Sequence, residues 1–83
     1  MPGSPKDNFV EELENLYLLK NQYEQNPSEN LFKQLKQKSG ELENHEGLNI
    51  LIQEEDTNLY RYLHIKDYID QLENNISKEK SLE

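Results

Sequence analysis

The chain has 83 residues, 33% of them apolar, and carries 17 acidic against 9 basic residues for a formal charge of −8. One domain with a small core is all that length allows, so oligomerisation or a partner is the expected source of added stability. There is no cysteine, which excludes disulfides, thiolate zinc sites and thiol catalysis, and no apolar run approaches a membrane span or a signal-peptide core.

Nothing in this composition argues for an oxidising compartment, and the expected location is the cytoplasm. The acidic excess is shared by both halves of the chain, and the basic residues cluster only at Lys33, Lys36 and Lys38. A phosphate backbone needs a broader basic surface, so direct binding to nucleic acid or to an anionic membrane is not expected. Glycine and proline are scarce while Leu, Glu, Lys, Gln and Asn dominate, which points to an all-α fold.

The opening "MPGS" and the final Leu82-Glu83 resemble residues left by cloning sites, and both ends are set apart from the fold argument. The division expected is a tail over residues 1–7, one helical domain over 8–77 and a second tail over 78–83. Helix one starts with Asp7 or Asn8 as cap and recurs with helical spacing at Phe9, Val10, Leu13, Leu16, Tyr17 and Tyr23, with Glu11, Glu12, Glu14 and Asn15 opposite. Leu18 and Leu19 widen the stripe beyond a two-stranded seam, implying more than one neighbour.

The "NPSE" at residues 26–29 ends helix one near Gln25, because the residue before a proline is pushed out of helical geometry. Asn26 can cap the next helix, Pro27 suits its first position, and Glu29 completes a capping-box spacing. Helix two turns Leu31, Phe32, Leu35 and Leu42 inward and runs through Ser39-Gly40 to about Glu43. Asn44 is the candidate cap of helix three. There Leu48, Leu51/Ile52, Glu55, Leu59, Tyr62/Leu63, Lys66, Ile69, Leu72/Glu73 and Ile76 step by four and three over about four heptads. The expected architecture is therefore three helices, a helical hairpin with a long C-terminal helix. The excess length of helix three, with residues 65–76 lacking an intrachain partner, predicts a homo-oligomer.

Two segments resemble the YlbF/YmcA group of small helical bacterial regulators. Residues 23–43, "YEQNPSENLFKQLKQKSGELE", resemble that group's Asn-Pro helix start followed by leucine. Residues 42–69, "LENHEGLNILIQEEDTNLYRYLHIKDYI", are similar to its C-terminal helix, with His45-Glu46 where the group commonly has Asn-Pro. The chain is short for the group and lacks the cysteines that some members use in an iron–sulfur-bearing complex, so cluster binding is not carried over. The resemblance implies a non-enzymatic, self-associating adaptor that modulates a larger machine, in that group RNA processing and developmental decisions such as competence, sporulation and biofilm formation.

Chemistry-bearing constellations are few. Glu54-Glu55-Asp56 offers oxygen ligands, but consecutive helix positions diverge and no glycine-turned loop surrounds them. Glu55 falls in the apolar register and is the acid most suited to face a partner. His64 and Asp67 share a helix face, and His45-Glu46 precedes the same helix, yet a third ligand is missing. No nucleophile with its base and no glycine-rich phosphate loop is present. No catalytic residue, metal or cofactor is therefore assigned.

Tyrosine supplies most of the aromatic content and suits half-wet interfaces. Tyr60 and Arg61 lie off the main seam as a first partner-facing patch, within a candidate interface of Leu48, Ile52, Glu55, Leu59, Tyr60, Arg61, Tyr62, Leu63, Ile69, Leu72 and Ile76. The expected function is that of a non-enzymatic regulatory or adaptor protein acting through protein–protein contact. The alternatives are an oligomerisation domain of a larger protein and an acidic inhibitor that occupies a basic surface.

Overall fold

The computed structural model describes residues 4–81, with side chains placed for residues 4–76. The described residues form four helices, α1 (Pro5–Gln25), α2 (Glu29–Glu43), α3 (Glu46–Glu54) and α4 (Thr57–Ser81), and contain no strand. The all-α class is as expected, but the count is four, because the long third helix is two.

Helix α1 begins inside the segment expected to be a tail. Ser4 is its cap, accepting a hydrogen bond from the Asp7 N–H at 3.3 Å, and Pro5 takes the first position, where its missing N–H costs nothing. Asp7 and Asn8 are thus helical residues rather than caps. Residues 1–3 and 82–83, the outer parts of the two expected tails, lie outside the described residues, and α4 is helical through Ser81.

The corner after α1 falls where the proline predicts, with a shifted register. Asn26 closes α1, its N–H donating to the Gln22 carbonyl. Ser28, not Asn26, caps α2 by accepting from the Leu31 N–H at 3.1 Å. Pro27 is left in the connection, and Glu29 in the first turn faces the positive end of the helix. Helix α2 then passes through Gly40 without a break.

Asn44 closes α2, and His45 takes the capping role expected of Asn44. The Gly47 N–H donates to His45 Nδ1 at 2.9 Å, so the neutral ring carries its proton on Nε2, 2.7 Å from Asn8 Oδ1. Edge-to-face contact between the imidazole and Phe9, with ring centroids 5.5 Å apart, fixes the start of α3 against the start of α1.

The heptad pattern read through residues 48–76 is interrupted at Glu55, whose φ of 52° and ψ of 43° lie in the left-handed region. Carboxylates at the negative end of a helix are unfavourable, and Glu54-Glu55-Asp56 puts three there. A new start is available immediately, since the Asp56 carboxylate accepts from the Asn58 N–H at 2.9 Å. Lys6 holds the junction from α1, with Nζ 2.6 Å from Glu54 and 2.9 Å from Asp56.

The core is built around α1. Phe9, Leu13 and Leu16 are fully buried against Leu35 and Leu42 of α2, Leu51 of α3, and Tyr62, Ile65 and Ile69 of α4. Ile65 and Ile69 are 1% and 3% exposed, so much of the segment expected to need a partner chain is covered within one.

Candidate interaction surfaces

Of the expected interface residues, Tyr62 and Ile69 are buried in the core, while Leu48 and Leu59 are half-buried against it. Leu72 and Ile76 are also half-buried, and Glu55 is exposed at the α3–α4 break. Ile52, Tyr60 and Leu63 remain exposed at 52%, 55% and 48%. The structure brings Tyr60 and Leu63 together with His64 and Asp67 along a shallow depression of α4. It does not group them with Leu48, Leu59 or Tyr62.

Arg61 is committed inside the fold. Its guanidinium lies 2.6 Å from Glu14, donates to Asn58 Oδ1 at 3.0 Å, and sits 5.0 Å from the centroid of the Tyr17 ring. The Tyr17 hydroxyl donates to the Arg61 carbonyl oxygen at 2.7 Å. This clasp joins α1 to α4. The hydrogen bond from Arg61 holds the Glu14 carboxyl below its usual range, against a partly opposing desolvation.

The same economy governs the other bases. Each of the seven described basic side chains has an acidic neighbour, and five of them cross between elements: Lys6 to Glu54 and Asp56, Lys36 to Glu73, Lys38 to Glu12, Arg61 to Glu14 and Lys66 to Glu43. Lys20 pairs with Glu24 in its own helix and covers the Tyr68 ring of α4 at 4.9 Å. Lys33 pairs only with Glu29, at 3.8 Å within α2. Among the described acids, Asp7, Glu11, Glu41, Glu46, Glu55, Asp67 and Asp70 have no ion pair with a described base. Five of the seven described bases thus tie one element to another, while these seven described acids are left facing solvent or neutral partners.

A second surface was missed by the sequence reading. The α1–α2 corner and the far part of α4 enclose an open groove of about 540 Å³, with Tyr23, Pro27, Phe32 and Ile76 as its apolar lining and Glu29, Lys33 and Lys36 beside them. No periodicity could reveal it, since its walls come from three helices up to about fifty residues apart. Leu18, 58% exposed on α1, also escaped the expected interface.

Chemistry of other kinds finds little purchase. Glu54 and Asp56 are drawn to Lys6, and Gln71 donates to Asp67 at 2.8 Å. Among the described residues no three His, Asp or Glu side chains converge as metal ligands, and no helix is long and apolar enough to cross a membrane. Comparison with known proteins finds no match, whether to a protein-family model, to a curated protein or to a solved structure.

Proposed function

We propose that the chain is a non-enzymatic regulatory or adaptor protein that works through protein–protein contact, with the outward face of α4 as its self-association surface. The observation that carries this reading is the pair Tyr60 and Leu63. They stay about half exposed one turn apart while the same helix buries Tyr62, Ile65 and Ile69 on its other side. An aromatic and a leucine side by side are costly to leave in water and are typical of the centre of an interface. His64 and Asp67 border them and supply the polar rim.

Light scattering across a dilution series tests the reading, with Tyr60→Glu/Leu63→Glu as the matched variant. The same face would serve an oligomerisation domain of a larger protein, and the two readings share this test. The residues that resemble the YlbF/YmcA group support the regulatory side on sequence pattern alone. A second reading, an acidic inhibitor of a basic surface, is favoured by the internal pairing of every described base. It predicts binding to a polycation that collapses as salt is raised.

A further inference from the structure

The groove at the α1–α2 corner lies roughly 20 Å along α4 from Leu63, at 1.5 Å per helical residue, and is a separate surface from the Tyr60–Leu63 face. Its volume of about 540 Å³ falls within the range of sites that enclose a small ligand or a few side chains. The apolar part of the lining is two aromatic rings, a proline and an isoleucine, and of these Tyr23 and Phe32 also pack against the core.

What distinguishes the groove from the rest of the surface is charge. Lys33 makes no described ion pair, hydrogen bond or ring contact outside its own helix, and its side chain is 73% exposed. Its link to Glu29 is long, exposed and within one helix, the kind that contributes next to nothing. Lys36, one turn on, lies 2.8 Å from Glu73 and 5.9 Å from the Phe32 centroid, on the same rim. On a chain of charge −8, an acidic partner is repelled elsewhere and finds here an apolar floor beside a cation that, among the described residues, pairs only within its own helix.

We infer that this groove receives a short segment of a partner protein that carries an aromatic or aliphatic anchor next to one or two carboxylates. The anchor occupies the space between Tyr23, Phe32 and Ile76, and the carboxylates face Lys33 and Lys36. The inference rests on the reading of the chain as a protein-contact module and names a second kind of partner for it.

The test is selection of a displayed library of random twelve-residue peptides on the full chain. Individual binders are then measured by fluorescence anisotropy and mapped by amide chemical-shift changes. The expected binders combine Leu, Phe or Trp with Asp or Glu, shift residues around Tyr23, Phe32, Lys33 and Ile76, and weaken about tenfold or more on Lys33→Glu. Lys33 makes no inter-helix ion pair or hydrogen bond among the described residues, so circular dichroism of that variant should match the wild type. Basic or uncharged binders, indifference to Lys33→Glu, shifts centred on Tyr60 and Leu63, or no binders at all would each overturn the inference. A multimer by light scattering alongside such a failure would leave the protein-contact reading standing and remove only the groove.

Discussion

Two glycines in this chain sit in helices, yet their surroundings give them opposite roles. A Cβ on Gly47 would lie 2.5 Å from both Phe9 Cβ and the Pro5 carbonyl oxygen, so only a residue without a side chain lets α3 start this close to α1. Gly40 has open space around its would-be Cβ and sits inside α2. Gly47→Ala should therefore cost about 1–3 kcal/mol from overpacking, and Gly40→Ala should add about 0.5–1 kcal/mol from reduced backbone entropy. Urea denaturation of the two variants reads both signs; equal shifts would mean that α3 does not dock on α1 as described. Tyr62 is a third residue-scale case. Its hydroxyl is buried without a hydrogen-bond partner while its ring stacks edge-on with Phe9, centroids 5.6 Å apart. Removing an unsatisfied hydroxyl is close to free, so Tyr62→Phe should match or exceed wild-type stability, and a loss of more than about 1.5 kcal/mol would reveal a partner for that oxygen.

At the scale of elements, the α3–α4 break separates two accounts of the same residues. In a continuous heptad helix, Glu55→Gly would place glycine mid-helix and cost about 1 kcal/mol. At a left-handed C-terminal position the same change relieves strain and should add roughly 1 kcal/mol. Thermal melts of Glu55→Gly decide by sign. The sequence carried both signals. Leu48, Leu51, Leu59 and Tyr62 keep a helical spacing across the break, because α3 and α4 each turn an apolar face to the same core. The pattern needed apolar neighbours to cover for Glu55, however, and Asp56-Thr57-Asn58 is a run of helix-starting residues directly after Glu54-Glu55. Pro27 was easier to read, since a proline acts on its own neighbours whatever the tertiary fold. The exact caps were not legible, because Ser4, Ser28 and His45 compete with Asp7, Asn26 and Asn44 for similar bonds, and for His45 the choice is tied to its contacts with Phe9 and Asn8 of α1.

For the molecule as a whole, the helix-joining ion pairs give stability a defined dependence on pH. Arg61 depresses the Glu14 carboxyl, and the Asn58 N–H followed by Lys6 depresses that of Asp56. A depressed carboxylate contributes stability that is present above the unfolded value, about 4, and is lost as pH falls through the folded value. Burial first, then neighbouring acids, raises the Tyr62 hydroxyl, and burial likewise raises that of Tyr68. That contribution is present below about 10 and is lost as pH rises through the folded values. Urea midpoints should thus fall as pH drops below about 4 and as it rises above about 10; a midpoint that climbs on acidification below about 4 would mean that relief of the net charge outweighs the pairs.

The class of fold, the first corner and the core faces of α1 and α2 could all be read from spacing and turn chemistry. The groove and the division of α4 into a buried and an outward face could not, because both depend on which elements meet. Tyr60 was legible as an off-seam residue, whereas its neighbour Arg61 was drawn inward by Glu14 and Tyr17 from more than forty residues away.

The most direct test of the central claim is the solution mass of the wild type and of Tyr60→Glu/Leu63→Glu, measured by light scattering across a dilution series. A multimer is expected for the wild type and a monomer of unchanged helicity for the variant. A wild type that is monomeric at every concentration, or a variant that remains multimeric, would contradict the assignment of α4's outward face as the self-association surface.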